Sequence, residues 1–350
     1  MTAPPLATAD LDHILEHTAV VWDDARGCRV FLTGGTGFFG AWLVESFLHV
    51  NRRLDLGASL VVLTRDPESA LHRLPCIAGQ PAVSLRRGDV RELEGHDGAF
   101  DYAIHAATES SHQHHAGDNR HMLETIVEGT RRVLAFARES GVRRFLLTSS
   151  GAVYGRQPPD VALLPEDFEG GPRSWDPTSA YAEGKRAAET LCAIEADQGG
   201  MSTRAARCFA FVGPHIPLGA HFAIGNFIRD ALLGGPIRIS GDGTAVRSYL
   251  YMADLAIWLW TLALSPNASG VYNVGSEAGV SILDLARIVT GVCAPGTPIE
   301  LATPRRDGAQ PHRYLPCTTR AQRELGLQQR ISLNEAIVRT IDWLRQSPTH

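Results

Sequence analysis

Lysine is almost missing from this sequence. Of 33 lysine and arginine residues, Lys185 is the only lysine. Arginine fills every other basic position, so residue 185 asks for something a guanidinium lacks: an ammonium is a compact charge with three rotatable donors, whereas a guanidinium is a rigid planar fork. A basic excess is missing too. The net charge of −5 argues against a nucleic-acid surface, which needs a basic patch to meet phosphate. No apolar run reaches the roughly 18 residues of a membrane span. The start, MTAPPLATADLDHILEHTAVVW, carries acidic residues and no basic n-region, so no secretory signal peptide is expected. Cysteine is sparse: the six, at 28, 76, 192, 208, 293 and 317, form no CxxC pair and read as small buried residues in a reducing cytoplasm. What is present is ordinary for a globular protein: 44% hydrophobic and 20% charged residues in a chain of 350, enough for one two-lobed unit or two domains.

Short apolar runs alternate with helical spacing. CRVFLTGG, SLVVLTRD, AVSLRRGDV, DYAIHAA and RRFLLTSS read as strands, with AWLVESFLHV and LETIVEGTRRVLAFARES as helices between them. Strands alternating with helices imply βαβ units and a parallel, doubly wound α/β sheet, with ligands at the carboxyl ends of the strands. Residues 10–24 read as a short amphipathic helix before the main fold. After residue 213 the pattern loosens into Gly/Pro-rich stretches and short helices, which suggests a smaller lobe.

TGGTGFFG sets Gly34, Gly35, Gly37 and Gly40 between a strand and a helix. Glycine permits the tight turn and lets a pyrophosphate approach the backbone, while the helix start offers free N–H groups and a positive dipole end. This is a dinucleotide-binding turn. At the end of the second strand, Arg65 suits a 2′-phosphate and Asp66 a free ribose hydroxyl. Asp89, in GDV, falls near the adenine ring or simply forms a turn.

Tyr181 and Lys185 stand one helical turn apart on the same face. With the glycine turn, SSGAVYG and Tyr181-x-x-x-Lys185 in place, the chain resembles the extended short-chain dehydrogenase/reductases, in their nucleotide-sugar epimerase/dehydratase branch. The resemblance runs from about residue 28 to 345 and includes HAA, RCFAFVGP, GDGTAVRSYLYMADLA and YNVGS. It implies a Rossmann-like sheet over 28–212 plus roughly 247–275 and a substrate-binding lobe from 213–246 and 276–350, which leaves 1–27 as an N-terminal helical extension. It implies catalysis by Ser150, Tyr181 and Lys185, with Lys185 lowering the Tyr181 pKa as a nearby cation does and also holding the nicotinamide ribose. It further implies an NAD(P) site at Gly34, Thr36, Gly37, Phe38, Phe39, Arg65, Asp89, Val90, Ala106, Ala107, Thr108 and Ser149, beside Tyr181 and Lys185. Arg65 favours NADP. A nucleoside diphosphate sugar would be held by Ser150, Asn226, Arg247 and Arg306, in a cytoplasmic homodimer.

The sequence also departs from that pattern. The acidic pair of the 4,6-dehydratases falls on Gly151 and Ala152, and the glutamate that decarboxylases use in this stretch is absent too. Ile126 stands where an asparagine usually precedes the xxGT helix signature. In ATESSHQHHAGDNRH, the histidines 112, 114, 115 and 121 match no metal-ligand spacing, so no metal is expected, while Glu109 is a candidate extra acid/base. The function expected is C4 epimerisation or 4-keto reduction of a nucleoside diphosphate hexose. The alternatives are dehydration or decarboxylation within the same family, or a non-catalytic NAD(P)-binding regulator on the same fold.

Overall fold

A computed structural model describes residues 3–95, 98–108, 119–219, 222–304 and 310–346. The first half of the chain runs α1 (Thr8–Trp22), β1 (Arg29–Thr33), α2 (Phe38–Leu54), β2 (Ser59–Thr64), α3 (Pro67–Arg73), β3 (Val83–Arg87), β4 (Tyr102–His105), α4 (Asn119–Glu139), β5 (Arg144–Ser150), α5 (Ala180–Asp197) and β6 (Ser202–Cys208). The remainder runs β7 (Phe211–Val212), α6 (Ala223–Leu232), β8 (Ile237–Ile239), β9 (Val246–Arg247), β10 (Leu250–Tyr251), α7 (Met252–Leu264), β11 (Gly270–Val274), β12 (Val280–Ser281), α8 (Ile282–Cys293), β13 (Ile299–Leu301), β14 (Arg313–Tyr314), α9 (Thr319–Leu325) and α10 (Leu333–Gln346).

Seven parallel strands make the central sheet in the order β11-β6-β5-β4-β1-β2-β3. Their near-continuous apolar runs suit a sheet covered on both faces. The order reverses beside β1, which pairs with both β2 and β4. A crevice opens at such a reversal, outside the carboxyl ends of the strands. The architecture is the Rossmann-like doubly wound sheet. Short pairs and a three-stranded sheet, β12-β9-β14, stand beside it.

The helix at the start of the chain has a packing reason. All 13 residues of α7 are buried, the polar Asp254 and Thr261 included, so every side of this mostly apolar helix must be covered. The sheet covers one side through β4, β5 and β6, while α1 and α2 cover the other. Trp22 of α1 and Trp260 of α7 meet with ring centroids 4.5 Å apart, both fully buried. Removing one such indole costs about 3–5 kcal/mol. Asp10 of α1 accepts from Tyr251 Oη at 2.6 Å and from Arg339 at 2.5 Å, so the extension is tied to α10 as well. Among the described residues, no helix is long and apolar enough to cross a membrane.

Candidate active site

The site lies at the carboxyl ends of β1, β4, β5 and β6. Gly34, at φ +74°, makes the turn after β1 and sits so close to β4 that a Cβ there would lie 2.5 Å from the Ala106 carbonyl carbon. Gly40 packs on the same turn, its Cβ position 2.2 Å from Gly34 O. The turn is therefore closed to side chains, and Gly37 caps the 17-residue α2. A neutral histidine sets the height of the facing strand. His105 pairs in register with Thr33, with Nδ1 2.7 Å from Thr33 Oγ1, and Thr33 Oγ1 in turn accepts from Ala107 N at 3.1 Å. Burial, with the Lys185 charge adding to it, pushes His105 down to about 3.

A cavity of about 980 Å³ opens here. It brings together Gly34, Thr36, Gly37, Phe38 and Phe39 of the turn with Ala106, Thr108, Ser149, Ser150, Tyr181 and Lys185. An adjoining cavity of about 260 Å³ shares Gly34, Thr36 and Gly37 and adds Arg65, Asp89, Val90 and Ala107. The two reach from a glycine cradle to a hydroxyl-lined end. Together with the volume closed by Gly34 and Gly40 and the exposed start of α2, they fit a dinucleotide lying with its pyrophosphate on the turn.

Lys185 is 3% exposed, and its Nζ donates to Thr108 Oγ1 at 2.6 Å and Thr148 O at 2.7 Å. Burial pushes the amine down to about 8. It stands 6.0 Å from the centre of the Tyr181 ring. The direct cation-to-phenol effect expected from the sequence is not what governs Tyr181: burial raises that phenol, and the hydrogen bond with Ser150 opposes the rise. Desolvation wins because both groups lie in the packed angle between α5 and the sheet. Burial therefore favours the protonated form of the Tyr181 phenol. Ser150 ends β5 and accepts from Ala152 N at 3.1 Å.

Two polar roles at the site were not read from the sequence. Glu189 accepts from Ser149 Oγ at 2.5 Å and from Arg207 Nη2 at 2.7 Å, which clamps the end of β5 to β6. The signal was there: Glu189 continues the stripe of Tyr181 and Lys185 by one more helical turn. Tyr314 reaches the cavity from β14.

Two further sequence candidates, Asp66 and Asp89, line the cavities while holding local partners. Asp66 Oδ1 caps α3 by accepting from Glu68 N and Ser69 N at 3.1 and 3.2 Å. Asp89 accepts from Arg91 N at 2.9 Å and Arg91 Nε at 3.0 Å, the turn-forming role, and chiefly the Arg91 side chain holds its carboxyl below the usual range. Neither Asn226 nor Arg247 lines the two cavities. Asn226 Oδ1 accepts from Arg229 at 3.3 Å, and Arg247 donates to Val246 O at 2.8 Å and His312 O at 3.1 Å. Arg306, Glu109 and the histidines 112, 114 and 115 lie outside the described residues. His121 Nδ1 is 3.4 Å from Arg91 Nη1. Among the described residues, the three groups close enough to share a metal ion are His13, Glu16 and His17 on α1, away from this site.

Residues 30–275 match the family described as NAD dependent epimerase/dehydratase. The chain is 31% identical over 320 residues to UDP-glucuronic acid decarboxylase 1 of Arabidopsis thaliana, covering 91% of this chain and 70% of that protein. The solved structure of MoeE5 in complex with UDP-glucuronic acid and NAD is similar at TM-score 0.74 and 26% identity, over 91% of this chain and 99% of that one. The structure of DesIV, a dTDP-glucose 4,6-dehydratase from Streptomyces venezuelae with NAD bound, is similar at TM-score 0.75 and 25% identity, over 91% and 97%. With a glycine cradle, a Tyr181–Lys185 pair and this match across most of its length, the chain belongs to the NAD dependent epimerase/dehydratase family.

Proposed function

We propose that the protein acts at C4 of a nucleoside diphosphate sugar, oxidising it to a ketone and reducing it again as a C4 epimerase, or reducing a ready-made 4-keto sugar. The observation that carries this reading is the local chemistry after Ser150: Gly151 and Ala152 have no titratable side chain. Dehydration across C5 and C6 needs one proton taken from C5 and another given to the departing oxygen, two transfers beyond the one Tyr181 serves. C4 chemistry asks for less. Bound NAD(P) supplies the hydride acceptor and donor. Tyr181, whose phenol burial raises, gives its proton to the C4 oxygen on reduction, and its phenolate form takes the C4 hydroxyl proton on oxidation. Ser150 holds that oxygen.

A second reading draws on the relatives called UDP-glucuronic acid decarboxylases. Oxidation at C4 of a uronic acid leaves its carboxylate β to the new ketone, and such an acid loses CO2 without a base at C5. The relatives support this reading; against it stands the missing glutamate of this stretch. Incubation with UDP-, GDP-, CDP- and dTDP-sugars, uronic acids included, with and without reduced cofactor, separates these by product mass and, where the mass is unchanged, by proton NMR of the configuration at C4. An isobaric product inverted at C4, or one gaining two hydrogens from a 4-keto substrate, is expected. A product lighter by one CO2 moves the assignment to decarboxylation, and one lighter by one water removes the C4 reading.

For the cofactor we favour NADP. Arg65 lines the adenosine end of the smaller cavity, while the Asp66 carboxylate is engaged in capping α3. A guanidinium–phosphate pair is charge-assisted and worth about 1.5–3 kcal/mol. Arg65→Ala is therefore expected to weaken NADP binding by at least about tenfold and leave NAD binding nearly unchanged, as read by calorimetric titration. Unchanged NADP affinity would remove Arg65 from the site.

A further inference from the structure

The first helix carries a cluster of ligand-type side chains that the cavity between β1 and β6 does not use. His13, Glu16 and His17 stand at i, i+3 and i+4 on α1, so all three rise from one face of the helix. Their ligand atoms lie within 4.8 Å of one another, and the two imidazole rings have centroids 4.5 Å apart. The order H-x-x-E-H is a known zinc-helix pattern. Two imidazoles and a carboxylate suit zinc, with bonds of about 2.0–2.2 Å. Glu16 is exposed, so an ion can arrive from solvent, and the long glutamate side chain can swing in to close the set.

Both imidazoles are held from behind, which a chance pair on a helix surface has no reason to be. His17 Nδ1 lies 2.9 Å from His13 O. A carbonyl only accepts, so Nδ1 carries the proton and Nε2 keeps its lone pair. His13 Nε2 lies 3.3 Å from Asp254 Oδ1. Asp254 is fully buried in the first turn of α7, where its Oδ2 accepts from Arg330 N at 2.9 Å and Ile331 N at 3.0 Å. Those two backbone donors fix the carboxylate, and its other oxygen faces His13 as an acceptor. The proton of His13 then belongs on Nε2, which leaves the Nδ1 lone pair to bind. A carboxylate or carbonyl behind each ring is the support that orients metal-bound histidine. We propose that His13, Glu16 and His17 bind one zinc ion, with water in the fourth position. The ion joins two successive turns of α1 and, through Asp254, ties that helix to α7 and to the chain entering α10. The extension that covers α7 is thereby held by metal as well as by packing.

The test is equilibrium dialysis of the full chain, freed of metal by a chelator, against micromolar zinc chloride, followed by metal analysis. Wild type is expected to hold one equivalent more than the double variant Glu16→Gln/His17→Ala, which keeps the His13–Asp254 contact and so the packing of α1. Histidines 112, 114 and 115 are common to both proteins, so zinc bound there cancels. Equal stoichiometry overturns the proposal. Loss of an outer partner alone weakens a metal site about 10–100-fold, so loss of a ligand should cost at least as much. His17→Ala is therefore expected to weaken zinc at least about a hundredfold, and Glu16→Gln, at an exposed position, at least about tenfold. Unchanged affinity in Glu16→Gln removes the carboxylate and with it the three-ligand site. Cobalt reports the geometry. Bound by these three residues and a water it is expected to show the strong visible absorption of a four-coordinate ion, and a spectrum as weak as that of the aqueous ion overturns the site. An ion that binds only the folded chain stabilises it, so zinc should raise the thermal midpoint of wild type and leave that of the double variant in place. Equal shifts in the two proteins count against the proposal.

Discussion

Lys185→Arg is expected to lower turnover by at least about a hundredfold while the protein still folds. Charge is kept, so the loss isolates head-group shape. The ammonium fits between Thr108 Oγ1 and Thr148 O at 2.6 and 2.7 Å, in a position that is 3% exposed. A guanidinium is wider and planar, and it has to push Thr108 or the end of β5 aside, next to Ser149 and Ser150. An error of about 1 Å in that placement suffices for such a loss. The substitution also removes a titration. In the folded protein burial pushes Lys185 down to about 8 from its ordinary 10.5, so between those values the unfolded chain binds the extra proton. The sign follows: the burial cost is fully present below pH 8 and is relieved as pH rises toward 10.5, a gain on the order of 3 kcal/mol. Urea unfolding at pH 7.5 and pH 10 should show wild type gaining stability relative to Lys185→Arg, which has no group titrating there. Equal turnover by the two proteins would mean that position 185 needs only charge.

Tyr181→Phe is expected to lower kcat by about a thousandfold, within the range for loss of a positioned proton carrier, with substrate and cofactor affinities close to wild type. The ring survives in phenylalanine, so its packing against the core between α5 and the sheet is retained and only the hydroxyl is gone. Because burial favours the protonated phenol, the reductive direction should suffer at least as much as the oxidative one. Single-turnover measurements in both directions check this. A variant that still reduces a 4-keto sugar at the wild-type rate would place the proton donor elsewhere, with Tyr314 the next phenol in the cavity.

Features that depend on near neighbours in the chain were legible without coordinates. The turn glycines after β1 answer to local backbone geometry, the strands to apolar runs, and the Tyr181–Lys185 pair to the four-residue repeat of a helix. The same repeat pointed to Glu189, which went unread because nothing local says that its partners are Ser149 and Arg207. Tyr314 was invisible for a stronger reason. It is brought into the cavity beside Gly151 by the pairing of β14 with β9, a contact between segments far apart in the chain, and the only local trace is an absence, the missing side chain at Gly151.

Protonation likewise belongs to the tertiary structure. Sequence spacing put an ammonium near a phenol and pointed to a lowered pKa, yet burial raises Tyr181 and lowers Lys185, because desolvation sums over everything packed around a group. The amphipathic pattern of α1 could be read as a helix, but its purpose could not: it covers α7, a helix buried on every side. Period and glycine placement thus determined the sheet, the cradle and the Tyr181–Lys185 pair. Long-range packing alone decided which hydroxyls meet, which groups hold their protons and what the first helix is for, since those depend on contacts that no local pattern encodes.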